Sequence, residues 1–318
     1  MTDQSRIAVA DLGTNSTRLL AATVTPDGRV EPLERRSEVT RLGEGVDASG
    51  RLADAAMQRT FDVLARYREM ADELGATRLV AVATSAVRDS ENGPAFRERV
   101  RGELGFELEI ISGDEEARLT FLGATAGHGG DEPTLVIDIG GGSTEFVIGL
   151  PGQEPRFHVS TRLGSVRQSE RHIASDPPEH HETEALARAA RDIVNEAVPA
   201  AERERVAGAI AVAGTATSLA AIDQQLEPYD PERVDRYRLG LADCERMLAL
   251  LASKPLAERR RVPGLHPDRA PTIVAGAAIL VESVRAFGLR DVEVREADIL
   301  HGIALDALYK REQSSGPA

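Results

Sequence analysis

An apolar strand closed by an aspartate, a short polar turn and a second apolar run occur twice in this chain. The first copy is Ile7 to Ala10, then Asp11, the turn Gly13-Thr14-Asn15-Ser16 and the run Leu19 to Val24. The second is Leu135-Val136-Ile137-Asp138, the turn Gly140-Gly141-Gly142-Ser143 and another apolar run. Setting Asp11 on Asp138 also matches Gly13 with Gly140, Ser16 with Ser143 and Thr17 with Thr144, at an offset of 127 (138 minus 11). A second match, Ala81-Val82-Ala83-Thr84-Ser85-Ala86 on Ala211-Val212-Ala213-Gly214-Thr215-Ala216, follows in order at an offset of 130 (211 minus 81). Short apolar strings recur by chance, so either match alone is weak; two in order at nearly equal offsets point to a duplicated domain. The chain has 318 residues, enough for two cores. Gly127, Gly129, Gly130 and Pro133 mark the boundary. The expected domains are 1–126 and 127–318, with 313–318 disordered.

Helical spacing of Ala56, Phe61, Leu64, Tyr67, Met70 and Leu74 predicts a helix over 54–74. Strands are expected at 78–83 and 107–111, a helix at 94–104, and another from Ser112 to about Thr125. The second half adds helices near 184–198, 243–251, 270–287 and from Asp298, with strands at 209–212 and 292–294. Strands and helices mixed in both halves indicate α/β layers.

Composition excludes several classes of partner. Acidic residues number 52 against 38 basic ones, a net charge of -14, which disfavours a broad nucleic-acid footprint. Zero tryptophan and 3% aromatics remove the usual base-stacking platforms. The single cysteine, Cys244, forms no internal disulfide and no zinc site by itself, which fits a reducing cytoplasm. No signal core opens the chain, and the apolar stretch 273–281 is far shorter than the roughly 20 residues a bilayer requires, so no membrane partner is expected. Lys254 and Lys310 are the only lysines, leaving 36 arginines (38 minus 2), an excess read mainly as compositional.

Each repeated turn sets glycines and hydroxyls beside a strand-terminal carboxylate, the composition that brings backbone N–H groups close to phosphate oxygens. Gly140-Gly141-Gly142-Ser143 suits phosphate binding, and it also suits an empty hairpin turn. No Gly-Lys-Ser/Thr appears and a strand, not a helix, follows each turn, so neither loop is a Walker loop or a dinucleotide fingerprint. Paired loops suit a substrate with several phosphates between two lobes, with Mg2+ screening the charge. Asp11, Asp138 and Glu145 are the candidate metal-side carboxylates; Asp at a strand end can equally cap a turn, and Glu145 can be a solvated strand residue. Ser112-Gly113-Asp114-Glu115 matches a capping box that opens a helix. Glu116 in that first turn is eligible as a base, because the helix dipole favours the ionised carboxylate. Glu179-His180-His181 reads as a solvated helix start and Arg259-Arg260-Arg261 as a solvated face.

Asp11-Leu-Gly-Thr-Asn-Ser-Thr-Arg18, Ala83-Thr-Ser-Ala-Val-Arg-Asp89, Ile111-Ser-Gly-Asp-Glu-Glu-Ala-Arg118, Asp138-Ile-Gly-Gly-Gly-Ser-Thr-Glu145 and Gly214-Thr-Ala-Thr217 together resemble the exopolyphosphatase and guanosine pentaphosphate phosphohydrolase family. The resemblance implies two ribonuclease-H-like α/β domains of the actin, sugar-kinase and Hsp70 superfold, with the active site in a central interdomain cleft. It implies hydrolysis of a terminal phosphoanhydride by water, with Mg2+ or another divalent cation such as Mn2+. It places the general base on Glu116. Phosphate contacts fall on Asn15, Ser16, Arg88, Gly140, Gly141, Gly142, Ser143, Gly214, Thr215 and Arg269, and the metal on Asp138 and Glu145. The expected substrate is inorganic polyphosphate, with short chains favoured; guanosine pentaphosphate, a sugar-kinase or Hsp70-like ATPase, and a catalytically silent polyphosphate binder are the alternatives. Longer members carry a C-terminal HD-type extension beyond the core found here, and Asp298-Ile-Leu-His301-Gly302 stands where members often show Leu-Arg-Glu-Gly. A homodimer is compatible with the sequence.

Overall fold

The computed structural model describes residues 5–25 and 29–314, with side chains described for 6–25 and 29–308. Of the tail expected to be disordered, 315–318 lie outside the described residues, while Gln313 and Ser314 close the last helix.

The chain forms two compact units, Met1–Gly123 with Asp298–Ala318, and Ala124–Ala297. The first has a five-stranded sheet of β1 (Ser5–Leu12), β2 (Ser16–Val24), β3 (Val30–Val39), β4 (Arg78–Ala83) and β5 (Glu107–Ile110), in the order β3-β2-β1-β4-β5. β1 runs antiparallel to β2 and parallel to β4, and β5 continues the parallel set. The second unit repeats that order. Its strands are β6 (Thr134–Ile139), β7 (Thr144–Gly149), β8 (Phe157–Thr161), β9 (Gly208–Val212), β10 (Arg238–Gly240) and β11 (Asp291–Val294), arranged β10-β11-β9-β6-β7-β8. Read from the other edge, β8-β7-β6-β9-β11 reproduces the first sheet, with β10 added antiparallel to β11. The duplication inferred from two short matches therefore extends through five strands of each sheet.

Side-chain alternation along β1 explains why its sequence is apolar throughout. Ala8, Ala10 and Leu12 pack on one face against Phe61, Leu64 and Tyr67 of the helix Asp54–Glu73. Ile7 and Val9 pack on the other face with Leu119, Ile299, Leu300 and Ile303. That second face corrects the expected domain division: the helix Ile299–Ser314 follows the second unit in sequence but completes the core of the first. It lies backbone to backbone on the helix Gly113–Ala124, where a Cβ on Gly123 would stand 2.6 Å from the Gly302 nitrogen. The second unit's core centres on Leu135, Ile137, Phe146 and Ile148, covered by Val274, Ile279 and Leu280 from the helix Ile273–Ala286.

Candidate active site

In the first unit, the turn after β1 is held by its carbonyl oxygens. Thr14 O accepts from Gly43 N at 2.8 Å, and Asn15 O accepts from Thr40 N and Arg41 N at 3.1 and 2.9 Å. The Thr14 hydroxyl meets Ser85 Oγ at 2.9 Å, which ties the turn to the Ser-Ala-Val-Arg motif. Gly43 must be glycine for this approach, since a Cβ there would lie 3.0 Å from Ala86 Cβ and closer still to Thr14 Cγ2. Among the described residues no protein acceptor meets the N–H groups of Thr14 and Asn15.

Asp11, a candidate metal-side carboxylate, is paired with an arginine through one of its oxygens. Its cross-strand neighbour is Arg18, whose Nε donates to Asp11 Oδ2 at 3.0 Å. Arg18 is shared with Asp298, which is 1% exposed and takes a contact from Arg18 Nη1 and the Leu300 N–H at 3.1 Å. Burial opposes ionisation of Asp298, but Arg18, Arg35 and His301 outweigh it and its pKa falls. Asp11 is the weaker partner: burial raises its pKa despite Arg18. Its Oδ1 is buried without a hydrogen-bond partner.

The paired glutamates at the start of the 113–124 helix are separated by their surroundings. Ser112 Oγ accepts from Glu115 N at 3.1 Å, half of the predicted capping box. The Glu115 carboxylate instead binds Arg118 through both oxygens at 2.9 Å, and Arg118 reaches on to Asp306. Glu116 is buried, and its Oε2 accepts from Arg88 Nη1 at 3.0 Å. The same nitrogen donates to Ile111 O at 3.0 Å. Two residues expected to act on a substrate are thus brought together as an ion pair.

In the second unit the same logic recurs with different residues. Gly140 O accepts from Ser165 N at 2.9 Å, Gly141 O from Val166 N and Arg167 N at 2.9 and 3.1 Å, and Gly142 O from Arg167 Nε at 2.9 Å. These donors open the helix Ser165–His172. With its carbonyls turned into that helix start, the loop presents N–H groups on its other side; among the described residues no protein acceptor meets those of Gly141, Gly142 and Ser143. A peptide surface of that polarity attracts anions. Gly164 permits the arrangement, since a Cβ there would be 2.5 Å from the Gly141 carbonyl carbon and closer to Gly141 O and Gly142 C. The sequence reading missed Gly164 and Arg167. The signal lay in Leu163-Gly-Ser-Val-Arg167, a glycine between a strand and a helix followed by an arginine that is only 6% exposed in the fold.

Asp138 faces Glu145 across β6 and β7, and Glu145 faces Ser160 of β8, whose hydroxyl donates to Glu145 Oε1 at 2.7 Å. Asp138–Glu145 is the counterpart of Asp11–Arg18 in the first sheet, so an arginine there corresponds to a second carboxylate here. Directly opposed like charges with Cβ atoms about 5 Å apart are unfavourable unless a cation lies between them. Both carboxylates are buried and supply the hard oxygen donors that a divalent cation takes. No group of three or more His, Cys, Asp or Glu suited to a metal occurs among the described residues, so other oxygen ligands would have to complete the shell.

The residues from Gly214 and Thr215 open the helix Ala213–Asp223 after β9, and Arg269 lies against Gly214. Other candidates resolve into scaffold. Arg259 is 4% exposed and donates to Leu251 O, Lys254 O and Ala270 O, so the arginine triplet is not a solvated face throughout. His180 and His181 are exposed on the first turn of the helix His180–Ala197, which Glu179 and Glu182 cap. Burial, with Asp243 and Asp223 nearby, pushes the Cys244 thiol to about 12, which removes it as a nucleophile.

Proteins of known sequence and structure resemble this chain along most of its length. Residues 22–311 match the Ppx/GppA phosphatase family. Exopolyphosphatase 2 of Mycobacterium tuberculosis is 37% identical over 314 residues, covering 95% of this chain and 98% of the relative. Exopolyphosphatase 1 of Mycobacterium bovis is 31% identical, covering 95% and 88%. Among solved structures, the Aquifex aeolicus member of the Ppx/GppA family superposes with a TM-score of 0.81 at 29% identity, covering 96% of this chain and 98% of that one. An exopolyphosphatase from Cytophaga hutchinsonii superposes at 0.87 with 27% identity, covering 95% and 98%. The five motifs, the duplicated sheets and near-complete coverage of these relatives lead to one assignment: the chain is an α/β phosphohydrolase that belongs to the Ppx/GppA phosphatase family.

Proposed function

We propose that this chain is an exopolyphosphatase that releases orthophosphate from the end of inorganic polyphosphate. The observation that carries the reading is the polarity of the 140–143 loop, whose carbonyls are committed to the 165–172 helix and whose N–H side is left for a phosphoryl group. The names borne by the Mycobacterium tuberculosis and Mycobacterium bovis relatives support polyphosphate as the substrate class.

In the proposed reaction Glu116, positioned by its pairing with Arg88, takes a proton from water as the water oxygen bonds to the terminal phosphorus. The bridging P–O bond breaks, and the shortened chain leaves with the bridging oxygen. Ser143 and the N–H groups of Gly141 and Gly142 hold the terminal phosphate and meet the charge that develops on its oxygens. Asn15, Ser16, Thr215 and Arg269 contact the substrate's other phosphates. A divalent cation, Mg2+ or Mn2+, bound through Asp138 and Glu145 would supply charge neutralisation.

A preference for short chains is part of the proposal. Arg18 is engaged with Asp11, Arg88 with Glu116 and Arg167 with the loop itself, which commits these three cations within the protein and supports that preference.

Initial phosphate release with Mg2+ from a polyphosphate length series, and from guanosine pentaphosphate, tests the reading. Turnover of short polyphosphates above guanosine pentaphosphate is expected. Preferential turnover of guanosine pentaphosphate would transfer the assignment to that alternative, and no turnover of either would point to a silent binder.

A further inference from the structure

We infer that Gly214 is a positioning residue: the absence of its side chain seats the Arg269 guanidinium against the start of the 213–223 helix. The inference rests on the proposed role of Arg269 as a contact to the substrate chain.

A glycine at a strand-to-helix turn ordinarily supplies a left-handed backbone. Gly214 does not. The left-handed residue at this turn is Ala213, with φ 63°, whereas Gly214 lies within the helix with an ordinary φ. Gly214 is the second residue of that helix, and its backbone conformation does not itself call for glycine. The close approach of Arg269 supplies the reason. A Cβ on Gly214 would fall 2.5 Å from Arg269 Nη2 and closer to Nη1 and Cζ, inside the volume of the guanidinium.

The comparison with other glycines sharpens the point. A Cβ on Gly105 would also meet an arginine, Arg68, but φ there is +71°, so the backbone already requires glycine. At Gly123, Gly164, Gly264 and Gly302 the obstructing atoms are backbone, so substitution there must move the fold. Gly214 combines an ordinary φ with an obstruction at the far end of a flexible side chain.

The root of Arg269 is fixed as well. Its N–H donates to His266 O at 2.9 Å in the turn Pro267–Arg269, and the next carbonyl, Ala270 O, accepts from buried Arg259 at 3.2 Å. An arginine anchored at its backbone and seated at its head loses less side-chain freedom when it binds a phosphoryl group. Alanine at 214 leaves the root in place and displaces the head.

A double-mutant cycle on Gly214→Ala and Arg269→Ala tests this, with KM for inorganic tripolyphosphate in Mg2+ as the readout and thermal midpoints alongside. Gly214→Ala is expected to raise KM about tenfold, the loss of one charge-assisted contact, with a thermal midpoint unchanged or higher. In the Arg269→Ala background the same substitution is expected to leave KM where Arg269→Ala alone puts it. An equal rise in both backgrounds, or no rise in either while Arg269→Ala raises KM, overturns the seat and leaves Arg269 as a substrate contact. An Arg269→Ala protein with normal KM overturns the substrate contact, and the seating role with it.

Discussion

Gly164→Ala isolates the contact on which the proposed phosphate loop rests. Gly164 has φ -105° and ψ 150°, a conformation alanine adopts without strain, so the substitution acts through space alone. The added methyl would stand 2.5 Å from the Gly141 carbonyl carbon and closer still to Gly141 O and Gly142 C, so relief to an ordinary contact of about 3.4 Å requires the loop and the helix start to separate by roughly 1 Å. Backbone on both sides leaves no flexible side chain to absorb that movement. Overpacking of this kind destabilises by about 1–3 kcal/mol, a thermal shift of a few degrees. A displacement near 1 Å at a reacting centre lowers activity about a hundredfold. Phosphate release from tripolyphosphate gives kcat/KM, and calorimetry gives the midpoint; Gly102→Ala is the control, since nothing lies within 4 Å of a Cβ there and its position inside a helix favours alanine. A Gly164→Ala protein with normal kcat/KM would refute the claim that close approach at this glycine sets the loop.

Glu116→Gln is expected to lower kcat by about a hundredfold or more with substrate binding retained, measured by phosphate release and by equilibrium binding of tripolyphosphate; unchanged turnover removes Glu116 as the base. Asp138→Asn and Glu145→Gln should each raise the Mg2+ concentration needed for half-maximal activity, read from a metal titration, whereas Asp11→Asn should shift it less because Arg18 already balances that carboxylate. His128 gives a pH dependence of stability. Burial and the Arg295 guanidinium lower its pKa against the pull of Glu293, so below about pH 6.5 the unfolded chain takes up the proton first and stability falls with pH. His128→Gln should flatten the thermal midpoint between pH 7 and 5, and an unaltered slope would assign that loss to other groups.

Periodic and repeated features were readable from the sequence. The turns at 13–16 and 140–143 advertise themselves through strand-terminal aspartates, and the 54–73 helix through its apolar spacing. β3 gave no such signal. Its residues are Val-Glu-Pro-Leu-Glu-Arg-Arg-Ser-Glu-Val, an edge strand with neither face fully buried, so alternation has nothing to record. Contacts between distant residues were equally silent: Asp298 reaches Arg18 across 280 positions, and no spacing rule links them. Gly164 and Gly214 illustrate a different limit. Sequence shows that a residue lacks a side chain, while the atom that would occupy the vacated space becomes visible only in three dimensions.

The last helix has a consequence for the order in which the molecule matures on the ribosome. Residues 124–297 form one uninterrupted stretch and carry every strand of their sheet, so that unit can close as soon as they have emerged. The unit whose strands are translated first is the one that finishes last. Until Ile299, Leu300 and Ile303 are synthesised, Ile7, Val9, Leu20 and Val24 have only part of their cover, from residues such as Leu119, on one side of their sheet. A nascent chain stalled before residue 298 would present that apolar face to chaperones or to other chains, while its later-made unit already resists proteolysis.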